Sequence, residues 1–201
     1  MTIYTIGHST RTLDDFLALL RAHAVTWLAD VRTVPKSRRH PHFAGDALSR
    51  SLPDAGVAYR HFPGLGGLRK PRPDSRNTAW RHASFRGYAD HMQTDVFQRA
   101  LDELIVWSVD REAGDPERVA LHPPSAGDEL NVGRPFQGRH STAIMCAEAV
   151  WWHCHRQLIA DALVARRVEV RHIMSTASAP PHALTSFARV DDGRVTYPGL
   201  L

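Results

Sequence analysis

The chain has 201 residues, 43% of them hydrophobic and 23% charged, a balance that supplies one globular core and excludes disorder along the whole chain. No apolar run reaches the roughly 18 residues that cross a bilayer, and the N-terminus enters a strand-like pattern with no basic and apolar leader, so a cytoplasmic protein with no membrane association is expected. The net charge of +4 is uneven: Arg32 to Arg86 holds twelve Lys/Arg and three Asp/Glu, a surplus of +9 against −5 elsewhere.

A basic surplus of this kind favours anionic partners: a small anion, a nucleotide or a nucleic acid. The plain alternative is a solvated, arginine-rich face. Ile3 to Ile6 reads as a buried strand ending at Gly7-His8-Ser9. Thr12 to Asp15 resembles a capping box, and Leu13, Phe16, Leu17 and Leu20 line one face of a helix. Thr26 to Val31 is a second strand, closed by Asp30-Val31-Arg32 and stopped at Pro35. Strand, helix and strand make a βαβ unit, which implies a parallel pair.

A basic loop, 36–45, leads to a short helix over Asp46–Leu52 and a third strand over Val57–Phe62. The turn Gly64-Leu65-Gly66-Gly67 and an Arg- and Pro-rich loop follow, then a helix over Phe85–Met92. Thr94 caps a longer helix carrying Phe97, Leu101 and Leu104. Residues 111–140 read as a long loop or insertion, with a brief strand at Val119-Ala120-Leu121. A strand over Ala143–Met145, a helix over His155–Arg166 and a last strand over Val168–Ile173 complete the pattern. The expected fold class is α/β: a single domain over 1–175, with a mostly parallel sheet, helices on both faces in three layers, and an irregular tail over 176–201.

Ligands of open α/β sheets bind outside the carboxyl ends of the strands. Those ends carry His8 and Ser9; Asp30, Arg32, Ser37 and Arg38; Gly66 and Gly67; and Cys146 and Glu148, followed by Cys154, His155 and Arg156. Cys146, between a strand and a helix and near cations, is placed to have thiolate character, the alternative being a small buried hydrophobe. The arrangement of a cysteine with an arginine six positions later does not fit, because position 152 is Trp152. Cys146 with Cys154 and its flanking histidines offers soft zinc ligands. Adjacent residues diverge, however, and the spacing matches no standard zinc pattern. No metal and no cofactor are therefore expected. The Trp151-Trp152 pair stacks on a base or closes a cleft rim.

Ile6-Gly7-His8-Ser9, Asp30-Val31-Arg32, Pro35-Lys36-Ser37-Arg38, Leu65-Gly66-Gly67, Phe85-Arg86-Gly87-Tyr88, Met145-Cys146-Ala147-Glu148 and Cys154-His155-Arg156 stand together in one order. In these motifs, to about Ile173, the chain resembles domain-of-unknown-function family 488 (DUF488), uncharacterised bacterial and archaeal proteins. The resemblance implies a cytoplasmic α/β domain and no settled activity. One departure is the long link over 111–140.

The reading that unites these residues is an enzyme acting on a phosphate-bearing substrate, a nucleotide or nucleic acid, in a basic cleft. Arg32, Arg38 and Arg156 hold anionic oxygens in one cleft, with Ser9, Ser37, Gly66, Gly67 and Cys154 contributing to binding. Cys146 is the nucleophile or thiolate, Glu148 or Asp30 the general acid or base, and His8 or His155 the proton carrier. The alternatives are a non-catalytic nucleotide- or nucleic-acid-binding module, and a thiol redox protein using Cys146 and Cys154.

Overall fold

A computed structural model describes residues 1–109 and 141–199. In chain order the elements are β1 (Thr2–Gly7), α1 (Leu13–Ala22), β2 (Val25–Asp30), α2 (Gly45–Asp54), β3 (Ala58–His61), α3 (Ala83–His91), α4 (Asp95–Val109), β4 (Ser141–Cys146), α5 (Arg156–Ala165), β5 (Glu169–His172), β6 (Arg189–Asp191) and β7 (Arg194–Thr196). Five strands form one sheet in the order β3-β2-β4-β1-β5, with every pairing parallel. The strand suggested at Val119-Ala120-Leu121 lies outside the described residues.

The β1–α1–β2 unit is parallel, but its two strands do not pair with each other. β4 lies between them, with Thr5 opposite Ile144 and Leu28 opposite Ala143. Thr142 to Cys146 are all buried, and a strand apolar on both faces belongs at the centre of a parallel sheet. Alternation then divides the core in two. Ile6, Leu28, Ala143 and Met145 meet Phe16, Leu17 and Leu20 of α1 and Leu48 and Leu52 of α2. Ile3, Trp27, Ala29, Ile144 and Cys146 meet Tyr88 of α3, Phe97, Leu101 and Leu104 of α4, and Leu158, Ile159 and Leu163 of α5. The result is three layers.

The caps follow the sequence. Thr12 Oγ1 accepts from the Asp15 amide at 3.1 Å and donates to Asp15 Oδ2 at 2.7 Å. Thr94 Oγ1 accepts from the Phe97 amide at 3.3 Å. Each satisfies a helix-start amide that has no partner inside the helix.

The segment after Ser175, expected to be irregular, instead closes with the antiparallel pair β6–β7. Asp192 (φ 44°) and Gly193 (φ 72°) form its two-residue turn, a conformation that suits Asp-Gly. Tyr197 beyond it is buried in the α5 side of the core. Buried Asp161 of α5 fastens the segment: it accepts from His182 Nε2 (2.8 Å), the Thr185 amide (2.9 Å) and Tyr197 Oη (2.7 Å). His182 Nδ1 in turn accepts from His172 Nε2 at 3.0 Å, and His172 Nδ1 accepts from Thr5 Oγ1 at 2.8 Å. Trp151 stacks on His172 at 3.9 Å, so this member of the tryptophan pair packs against a side chain of the fold. No helix among the described residues is long and apolar enough to cross a membrane.

Candidate functional site

The carboxyl ends of β1, β2 and β4 are tied together past the last strand residues. The His8 amide donates to Cys146 O (3.0 Å), the Ser9 amide to Ala147 O (2.9 Å) and the Val31 amide to Met145 O (3.0 Å). Gly7 lets the loop after β4 cross β1 closely: a Cβ there would stand 1.9 Å from Glu148 O. Arg156, fully buried, holds that loop from below, its Nη2 donating to Glu148 O at 2.5 Å and Ala149 O at 3.4 Å.

The loop brings Cys146 to Cys154 and His155. Their Sγ and ring nitrogen atoms all lie within 4.8 Å of one another. Cys154 Sγ is 3.5 Å from His155 Nδ1. His155 Nε2 donates to Val31 O at 2.8 Å, which fixes the tautomer and leaves Nδ1 facing the sulfur. The hydrogen bond Cys146 gives to Cys154, together with burial, pushes the Cys146 thiol well up. The same bond holds the Cys154 thiol well down against its burial, with His155 and Arg156 adding to the effect. Of the two thiols, Cys154 is the one held down and Cys146 the one pushed up. The sequence expectation placed thiolate character at Cys146; the sulfur in contact with the imidazole is that of Cys154, 3.5 Å from His155 Nδ1.

Across from the cysteines stands a buried ion pair. Arg32 Nε donates to Asp30 Oδ1 (2.9 Å) and Nη2 to Oδ2 (2.5 Å). Tyr59 Oη adds a third donor to Asp30 at 2.8 Å, and burial with the Asp30 charge pushes that phenol up. Burial opposes the Arg32 charge, but the Asp30 carboxylate outweighs it and the guanidinium is held charged. Arg32 Nη1 approaches His8 Nε2 at 3.4 Å, while His8 Nδ1 donates to Ser9 O at 3.0 Å. Burial first, then the Arg32 charge, lowers His8 to about 4, against the bond to Ser9 O. His8 is thus neutral at pH 7 and stacks on Phe43 at 4.3 Å.

Between these groups opens a cavity of about 270 Å³, lined by His8, Arg32, Thr33, Val34, Lys36, Ser37, Gly67, Leu68, Cys146, Ala147 and His155. A family model described as Domain of unknown function DUF488 matches residues 12–112 and 121–163. The chain belongs to the DUF488 family. Comparison with curated proteins and with solved structures gave no match.

Of the residues singled out in this DUF488 chain, His8, Arg32, Ser37, Gly67, Cys146 and His155 line the cavity. Cys154 lies behind Cys146 and His155. Of the three arginines expected in one cleft, only Arg32 lines it: Arg38 is exposed and Arg156 is buried beneath the loop. Glu148 is exposed, its carboxylate accepting from the Ala149 amide at 3.0 Å. Asp30 is fully buried and committed to Arg32 and Tyr59. Ser9, with φ 50°, contributes its backbone. Gly66 lies against Thr33. Three contributors were not singled out in the sequence. Thr33 ties the Gly67 loop by donating to Gly67 O at 2.8 Å, Tyr59 supports Asp30, and the Val31 carbonyl orients His155. Tyr59 is one strand away on β3, opposite Leu28, and no local motif marks it.

Proposed function

We propose that this DUF488 protein is an enzyme acting on a phosphate-bearing substrate, a nucleotide or nucleic acid, in the cavity at the end of β4. The lining carries the reading. Arg32, Lys36, Ser37 and His8 face Cys146 and His155 across about 270 Å³, and among the described residues no carboxylate lines it. Arg32 commits Nε and Nη2 to Asp30, while Nη1 approaches His8 Nε2 at 3.4 Å. That pre-set guanidinium edge and the Lys36 ammonium favour an anionic oxygen. Neutral His8 offers Nε2 as an acceptor. The reactive centre is the sulfur and imidazole cluster, in which Cys154 Sγ stands 3.5 Å from His155 Nδ1. A recessed cavity, rather than a flat basic face, supports an enzyme over a simple binding module.

The test is turnover. Purified protein is incubated with nucleoside mono-, di- and triphosphates and with short single-stranded DNA and RNA, and the products are separated chromatographically. Conversion of one class is expected, abolished in Cys154→Ser and reduced at least tenfold in Lys36→Ala. No conversion, with salt-dependent oligonucleotide binding equal in wild type and Cys154→Ser, would replace the enzyme by the binding module.

One observation favours a second reading: the two sulfurs lie within 4.8 Å of one another. Exchange with an external disulfide would oxidise Cys146 and Cys154 to a disulfide and release two thiols from the reagent. Loss of two hydrogens from the protein mass after glutathione disulfide treatment, reversed by a dithiol, is the expected sign. A stable mixed disulfide or no reaction would rule this reading out.

A further inference from the structure

We infer that Cys146, Cys154 and His155 form a transition-metal site suited to zinc, with a fourth coordination position open to the cavity. The ligand set stands on geometry alone. What binds at the open position rests on the proposed function, which it deepens by naming the group that faces the substrate.

The three ligand atoms lie within 4.8 Å of one another. Tetrahedral zinc, with Zn–S of about 2.3 Å and Zn–N of about 2.0–2.1 Å, requires a sulfur-to-nitrogen edge of about 3.5–3.6 Å. The edge from Cys154 Sγ to His155 Nδ1 is 3.5 Å. Two thiolates and an imidazole are the soft and borderline donors that zinc takes. A metal-binding histidine donates its other ring nitrogen to a carbonyl or carboxylate, which aims the ligating lone pair. His155 does this through Nε2 to Val31 O at 2.8 Å.

Adjacent Cys154 and His155 were expected to diverge. They converge because the chain bends between them. Cys154 is extended (φ −131°, ψ 151°), whereas His155 has entered the helical region (φ −56°, ψ −14°). Gly67 keeps the space at the ring open, since a Cβ there would stand 2.9 Å from His155 Nδ1. Cys146 and His155 also line the cavity, whereas Cys154 does not. Three protein ligands with one side open is the arrangement of catalytic rather than structural zinc. Metal binding displaces the protons that the thiols carry. A water or an anionic oxygen of the substrate completes the coordination.

The full chain is stripped with a chelator under reducing conditions and titrated with cobalt(II). Its near-ultraviolet thiolate-to-cobalt charge transfer and visible ligand-field bands are recorded, and zinc in untreated protein is counted by plasma mass spectrometry. We expect one ion per chain, a tetrahedral cobalt spectrum and loss of about half the charge-transfer intensity in Cys146→Ser. Gly67→Ala, which retains all three ligands, should weaken cobalt affinity at least tenfold. Folded wild-type protein that carries no zinc and develops no charge-transfer band at saturating cobalt overturns the site. Pyrophosphate is then added to the cobalt form. Shifted visible bands support an anion at the open position. Bands unmoved by pyrophosphate or any nucleotide leave the metal site standing and remove the phosphate reading.

Discussion

Asp30 and Arg32 form a pair that is costly to bury and costlier to break. Asp30 is fully buried and Arg32 6% exposed, and Asp30 accepts three side-chain donor groups from Arg32 and Tyr59. Removing one charge leaves the other desolvated and unpaired, a loss of about 3–5 kcal/mol. Asp30→Asn should therefore lower stability by that order in urea denaturation. A loss of about 1 kcal/mol or less, as at a surface pair, would contradict this role. His8 gives a pH signature. Its value falls from 6.5 unfolded to about 4 folded, chiefly through burial. Below pH 6.5 the unfolded chain takes a proton that the folded chain refuses down to about 4. Stability is therefore full above that window and is lost as pH falls through it. His8→Gln, which keeps an acceptor toward Arg32, should flatten the decline of the urea midpoint between pH 6.5 and 4. An unchanged slope would show that His8 is not held neutral. In metal-free protein, thiolate absorbance near 240 nm should rise at lower pH in Cys146→Ser, which keeps Cys154, than in Cys154→Ser, which keeps Cys146. Asp30, Arg32 and His8 were legible because each ends a strand. The choice between the two cysteines was not, because it depends on contacts with His155 that the spacing does not reveal.

Two connections between elements hold the site in place. The loop after β4 passes over β1 at Gly7, and Arg156 pins its carbonyls from the start of α5. Gly7→Ala sets a methyl against backbone rather than against a side chain that can turn away. Overpacking of that kind costs about 1–3 kcal/mol, and the reactive cluster should loosen with it, seen as faster cysteine alkylation in the folded state. Asp161 plays the same part for the C-terminal segment. Asp161→Ala leaves His182, Thr185 and Tyr197 donors unpaired, each costing about 1–3 kcal/mol when buried. Amide exchange over residues 175–199 should then rise while the sheet retains its circular dichroism. Exchange that stays at the wild-type level would place the anchor elsewhere. The strands and helices of the main sheet were legible from apolar periodicity and from Thr12 and Thr94. The β6–β7 hairpin carried a signal of its own, Asp192-Gly193, but its three-residue strands are too short for alternation to mark them.

At the scale of the whole molecule, the parallel sheet explains why residues as far apart in the chain as His8 and His155 meet. Each crossover returns the chain to the same edge, so every motif that follows a strand arrives at one rim, and β4 at the centre brings Cys146 between His8 and Val31. That convergence was legible from strand order and the carboxyl-end rule. A central place for the strand before Cys146 was legible too; that it parts β1 from β2 was not, because pairing is decided by burial on both faces rather than by sequence neighbourhood. Nor was the split among the arginines, since a strand end or helix start specifies where a guanidinium begins but not which carbonyl or carboxylate takes it. The proposed function requires the rim cavity to receive a phosphate group. Calorimetric titration tests it most directly, with pyrophosphate and nucleoside phosphates added to wild type, Lys36→Ala and Arg76→Ala. Arg76 belongs to a separate pocket beside Asp90. We expect one ligand per chain, weakened at least tenfold by Lys36→Ala and unaffected by Arg76→Ala. Binding that ignores Lys36, or no binding by any member of the series, would contradict it.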